Sequence, residues 1–283
     1  DLNNDGVCDC DDWGCGDPLE YQGYLYATVD IDGQCWFAEN LRNSDYANGD
    51  AISTLSSTSD WSSTTEGWTT VYGETEPCYS NAPDFDACQS DLALQEYGRL
   101  YNWYAGVDPR GLCPNGWHVP TDLEWTALTD NLGGMAVAGD ALKAETGFSN
   151  NGGGSNSSGF SGLPGGFRNH VGTFIVAGDA GMWWSSSDNG WQGVHRGISS
   201  GSPEVTSHTH QHKYRAKSIR CIQSQDVADS DGGCNCADIP AGDCDCDGTQ
   251  LDALGVCGGD CAVDVDADGI CDDVDPCVGE LDD

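Results

Sequence analysis

The sequence predicts an α+β domain held between two irregular, acidic, cysteine-rich flanks. Three observations lead there. Carboxylates and cysteines crowd the two ends, whereas every Lys and Arg lies between residues 18 and 224. The middle alternates short aromatic and β-branched runs with Gly-, Ser- and Asn-rich stretches, the pattern of strands and long loops. Only about two segments carry helix signals. Strands with few helices, and no regular strand–helix alternation, read as α+β.

The elements follow in chain order. Tyr24–Phe37 reads as two strands around the Asp32-Gly33 turn. Residues 49–80 are rich in Ser, Thr and Gly, with scattered Trp61 and Trp68, and read as long loops. Leu100–Ala105 is short, aromatic and expected to be buried. Thr121 followed by Glu124 is a capping box opening a helix whose apolar stripe would be Leu123, Ala127 and Leu128. A second helix is expected over about 137–145. Residues 149–166 hold seven Gly and read as a loop. The segments 181–187 and 218–222 read as late strands.

The 283 residues carry 47 acidic and ten basic side chains, a net charge of −37. That balance excludes nucleic acid, whose phosphates need clustered Lys and Arg, and anionic lipid surfaces. No apolar run approaches the roughly 18 residues of a membrane helix, so no membrane insertion is expected. The chain opens on Asp1 rather than Met and reads as a processed form or an excised segment. Residues 1–17 hold six acidic side chains and residues 225–283 eighteen, with no basic ones in either; residues 18–224 have a net charge of −13. The predicted organisation is a calcium-binding loop over 1–17, the main domain over 18–224, a Cys/Asp/Gly-rich stalk over 225–262, and a second calcium loop over 263–283.

Sixteen cysteines imply disulfides and an oxidising compartment. Eleven lie in the flanks: Cys8, Cys10, Cys15, Cys234, Cys236, Cys244, Cys246, Cys257, Cys261, Cys271 and Cys277. Five lie in the middle: Cys35, Cys78, Cys88, Cys113 and Cys221. Two odd groups pair fully only if at least one bridge joins flank to middle. Cys35 is expected to pair with Cys78 or Cys88. A zinc reading of Cys234-x-Cys236 and Cys244-x-Cys246 competes, but structural zinc ligands are usually spaced two to four apart.

The flanks carry ladders of oxygen ligands. Asp264-x-Asp266-x-Asp268-Gly269 runs on to Asp272 and Asp275; Asp1-x-Asn3-x-Asp5-Gly6 runs on to Asp9 and Asp12. Alternate carboxylates with a Gly at the turn suit Ca²⁺, which takes six to eight oxygens. A helix–loop–helix site would want Glu at position twelve, where Asp275 and Asp12 stand. The C-terminal ladder, closed by Cys277, resembles the thrombospondin type 3 repeat, and so does the N-terminal one, with its Cys at Cys15. The other reading is a solvated acidic tail.

The blocks Asp32–Arg42 (Asp-Gly-Gln-Cys-Trp-Phe-Ala-Glu-Asn-Leu-Arg), Tyr97–Ala105, Leu112–Thr121 (Leu-Cys-Pro-Asn-Gly-Trp-His-Val-Pro-Thr), Glu124-Trp125, Phe160–Arg168, Trp183–Ser187 and Ser218–Ile222 resemble, in the same order, the Fibrobacter succinogenes major paralogous domain over about 24–223. The resemblance implies a C-type-lectin-like or formylglycine-generating-enzyme-like core in a secreted surface protein of Bacteroidota. It also implies that Cys113 and Cys221 form a structural bridge.

Three functional readings remain. An enzyme would be a metal-dependent oxidase related to formylglycine-generating enzymes. No cysteine pair stands out as reactive, and Gly152–Gly159 lacks the preceding strand and following Lys of a phosphate loop. On a strand, His208, His210 and His212 would converge on Zn, Ni or Cu, or else form a solvated face. His118 is expected to be a buried hydrogen-bonding group, and Arg168 and Arg220 buried partners of carboxylates. A lectin would bind surface glycans; Glu76-Pro77-Cys78 departs from the lectin triplets. The preferred expectation is a non-catalytic, calcium-stabilised extracellular adhesin, matrix or filament subunit. It would self-associate head to tail through its ends.

Overall fold

The computed structural model describes residues 14–54, 64–75 and 77–224, the side chains of His210 and Gln211 excepted. The strands are β1 Leu19–Tyr21, β2 Tyr24–Tyr26, β3 Thr28–Ile31, β4 Gln34–Phe37, β5 Ser53–Thr54, β6 Trp68–Val71, β7 Cys78–Ser80, β8 Arg99–Tyr101, β9 Trp117–His118, β10 Gly165–Arg168, β11 Phe174–Ala177, β12 Ala180–Asp188, β13 Gln192–Ser199, β14 Val205–His212 and β15 Ile222–Gln223. The helices are α1 Ser90–Tyr97, α2 Trp103–Gly106, α3 Asp122–Asn131 and α4 Ala138–Leu142. The strands form four sheets, ordered β14-β13-β12-β10-β11-β7, β3-β4-β15-β9, β5-β6-β8 and β1-β2. The fold is α+β.

The Asp-Gly hairpin forms as its chemistry demands. Asp32 (φ 54°) and Gly33 (φ 82°) both take the left-handed region that a tight two-residue turn needs, and Thr28 faces Phe37 across β3 and β4. The first strand does not run back to Tyr24. Tyr24–Tyr26 instead folds onto Leu19–Tyr21 as a separate hairpin.

Thr121 caps α3 through a complete capping box with Glu124. The buried side of α3 is Trp125, Leu128 and Thr129. Leu123, 80% exposed, points to solvent, so the expected stripe is corrected. The cap sets the helix entry, and the aromatic cluster below then selects Trp125. Its ring centroid lies 4.9 Å from Trp36, 5.8 Å from Phe160 and 6.3 Å from Trp183. The second helix, α4, is shorter than expected.

The loop reading of 49–80 is corrected by β5, β6 and β7. Thr69 and Thr70 are buried because β6 pairs with β8. Only Ile222 and Gln223 of the last segment join a sheet, between β4 and β9. Arg220 enters the interior. Its Nε donates to Asn40 Oδ1 (2.9 Å), and its terminal nitrogens donate to the carbonyls of Phe37 (3.3 Å), Phe160 and Ser161 (3.0 Å). Trp183 Nε1 donates to the same Asn40 oxygen (2.7 Å). The expected carboxylate partner of Arg220 is therefore replaced by carbonyl oxygens, which accept its N–H donors without neutralising its charge. Arg168 is buried beside Phe174, at 6.0 Å.

Candidate functional site

The expected calcium ligands Asp1, Asn3, Asp5, Asp9, Asp12, Asp264, Asp266, Asp268, Asp272 and Asp275 lie outside the described residues, as do Cys8, Cys10, Cys234, Cys236, Cys244, Cys246, Cys257, Cys261, Cys271 and Cys277. Six cysteines form three bridges: Cys15–Cys35, Cys78–Cys88 and Cys113–Cys221. The first is the flank-to-middle bridge that the two odd groups require. It corrects the pairing of Cys35 with Cys78 or Cys88. The reason is local: the Thr28 hydroxyl accepts from the Gly16 amide (2.9 Å) and donates to the Asp17 carbonyl (2.7 Å), which lays Cys15 against the β3–β4 hairpin.

The His208–His212 motif does lie on a strand. However, the three steps from His208 to Gln211 span only two on β13, from His195 to Gly193. This bulge breaks the alternation between His208 and His212. His208 stacks on His195 at 5.0 Å, whereas His212 stacks on Tyr214 at 4.9 Å and lies 6.3 Å from His170. Among the described residues, no group of three or more His, Cys, Asp or Glu is arranged to hold a metal ion.

His118 is half-buried rather than buried. Its ring nitrogens meet Ser224 Oγ (3.0 Å) and Glu124 Oε1 (2.8 Å). Burial pushes the Glu124 carboxyl upward, but hydrogen bonds from His118 and from the Thr121 amide and hydroxyl hold it below its ordinary range.

Gly152–Gly154 is a packing device. A Cβ on Gly153 would stand 2.1 Å from the Glu145 carbonyl oxygen, and one on Gly154 2.2 Å from that of Asp140. The approach lets the buried Lys143 ammonium donate to the carbonyls of Gly152 (3.2 Å), Ser199 (3.3 Å) and Ser202 (2.8 Å).

The candidate site is a groove of about 490 Å³ on the β1–β2 hairpin, which meets the 42–49 loop and the start of β8. Tyr21, Gln22 and Tyr24 come from the hairpin, Arg42–Ala47 and Gly49 from the loop, and Arg99 from β8. Gln22 pins loop to hairpin: its amide donates to the carbonyls of Asp45 (3.1 Å) and Tyr46 (3.2 Å). The Tyr21 hydroxyl donates to the Leu112 carbonyl (3.3 Å), and burial raises its pKa. Arg110 stacks 4.0 Å from the centre of the Tyr46 ring and is itself paired to Asp108 at 2.8 Å.

Two guanidinium groups reach the groove. Arg42 lies 5.9 Å from the centre of the Tyr24 ring and pairs with Glu39 at 3.3 Å. Arg99, half-buried, donates from Nε to the Arg42 carbonyl (3.1 Å). A second hollow of about 410 Å³ shares Tyr24 and Arg42 and continues onto α1 at Asp91, Leu94 and Gln95. Aromatic faces, amides and guanidinium groups on an open furrow suit stacking and multiple hydrogen bonds to a polar ligand. Sequence reading missed this site because it draws on segments some 50 residues apart. Its one available signal was Arg42 and Arg99, scarce cations within the quoted motif blocks.

A family model described as the Fibrobacter succinogenes major domain matches residues 29–223. No curated protein and no solved structure matches the chain.

Proposed function

We propose, from the premise that this chain belongs to the Fibrobacter succinogenes major domain family, that it is a non-catalytic binding module of a secreted surface protein and holds saccharide in the Tyr21–Tyr24–Arg42–Arg99 groove. The observation that carries the reading is the groove itself, with tyrosine rings and guanidinium groups together on an open surface. Sugar rings stack on such faces, and their hydroxyls take hydrogen bonds from such donors. Three disulfides in the folded domain support an extracellular compartment. In this reading the core is C-type-lectin-like, the flanks are thrombospondin type 3-like loops stapled by Ca²⁺, and the parent protein is an adhesin or a matrix or filament subunit of a Bacteroidota cell surface.

The test is a glycan array probed with the whole chain in calcium, with light scattering in parallel. Glycan retention that Tyr24→Ala abolishes is the expected result. Retention that chelator removes and Tyr24→Ala leaves intact would move recognition to the flanks and overturn the groove. Calcium-dependent filaments with no retained glycan would favour a purely structural subunit.

A further inference from the structure

We infer that the ligand of this groove is an acidic saccharide, whose carboxylate or sulfate is held by the free end of Arg99. The inference rests on the groove reading above and narrows its ligand class.

Seven of the ten cations divide by the partners they take. Arg42, Arg110, Arg196 and Lys213 pair with carboxylates. Lys143 and Arg220 are spent on backbone carbonyls. Arg99 differs from both sets. Its only hydrogen bond from the side chain, among the described residues, runs from Nε to the Arg42 carbonyl. Its two terminal nitrogens face no carboxylate there, although the chain carries 47. The Nε bond fixes the guanidinium plane at the groove wall and leaves the terminal fork open. A fork held in this way matches the two oxygens of a carboxylate or sulfate ester.

The neighbouring groups complete a sugar site. Tyr24, 38% exposed, offers a ring face beside Arg42. Asp45 accepts the Ser44 hydroxyl (2.9 Å) and leaves its other oxygen for a sugar hydroxyl. The remaining surface of an acidic chain repels polyanions, so acid selectivity would arise locally rather than from general attraction.

Binding is measured by calorimetry on the whole chain with oligosaccharides of equal length that are neutral, uronate-containing or sulfate-esterified. The expected result is that one acidic series binds at least about tenfold more tightly than the neutral one. Arg99→Gln should remove that preference by weakening the acidic series far more than the neutral one, and Arg99→Lys should restore part of it. The acidic series that wins identifies the oxyanion. Equal affinity of wild type for neutral and acidic series overturns the inference without any variant. If the wild type prefers the acidic series but Arg99→Gln keeps that preference while Tyr24→Ala abolishes binding, Arg99 does not hold the oxyanion, the inference falls and the groove stands. If Tyr24→Ala has no effect either, the groove reading falls with it.

Discussion

The Lys217 ammonium nitrogen stands 4.0 Å from the centre of the Trp184 indole, fully buried and, among the described residues, without a hydrogen-bond acceptor. Phe167 lies on another side at 5.1 Å. The backbone holds it there, because Lys217 exchanges both main-chain hydrogen bonds with Tyr101 (3.0 and 2.8 Å). A cation on two ring faces recovers part of its lost hydration. Burial first, then Arg215, still pulls its pKa far below the usual lysine range.

Replacing that amine should therefore stabilise the domain. Lys217→Met is expected to gain about 1 to 3 kcal/mol at pH 7, since an unsatisfied buried donor disappears. The native state binds fewer protons here than the unfolded chain, so wild-type stability rises as pH climbs toward the unfolded lysine pKa. Urea denaturation at pH 7 and pH 9 should show that rise in wild type and a shallower one in the variant. A destabilised Lys217→Met would mean that the cation–ring contacts outweigh the desolvation.

His195 carries the same logic into the acid range. It is 2% exposed, and burial, then the charges of Lys217, His208, Arg215 and Arg196, depress its pKa far below the ordinary 6.5. It is neutral in the fold and must remain so. Its contribution is complete above pH 6.5 and is lost as pH falls, at up to about 1.4 kcal/mol per pH unit. His195→Phe keeps a ring against Trp184 and His208 and should flatten that loss between pH 6.5 and 5. Parallel urea midpoints in wild type and variant over that window would refute it.

The disulfides should rank by the loops they close. Cys113–Cys221 spans 108 residues and Cys78–Cys88 only ten. Chain entropy then predicts a cost of about 5 kcal/mol for replacing the first pair by Ala and about 3 kcal/mol for the second. Guanidinium unfolding of the two double variants checks the order, and a reversed order would show that native packing dominates.

Gly153→Ala should destabilise by about 1 to 3 kcal/mol, because its Cβ would meet the Glu145 carbonyl and force the 152–154 backbone away from α4. Thermal melts would show the loss. An unchanged melting temperature would mean that the loop shifts freely and that Lys143 tolerates the movement.

Several features of the fold were legible because they are local. Asp32-Gly33 demanded two left-handed positions, and Thr121 with Glu124 closed a cap over four residues. Two odd groups of cysteines required a bridge between them, which Cys15–Cys35 supplies. The face of α3 was misread because Leu123 and Trp125 compete for the interior, and only the cluster of Trp36, Phe160 and Trp183 decides between them. The histidine motif was placed on a strand, but its bulge is set by β13. The groove was invisible for the same reason: Tyr24, Arg42 and Arg99 meet only after the hairpin, loop and β8 have packed.

By itself, then, the sequence determined the α+β class, the turns, the cap, the charge partition and the parity of the disulfides. All of these follow from steric and electrostatic rules acting over a few residues or on composition. The tertiary structure decided which face each element buries, which cysteine Cys35 takes, and which residues line the groove. Those depend on contacts such as Arg220 to Asn40, 180 residues apart, whose partners are chosen by how the whole chain packs and not by any local pattern.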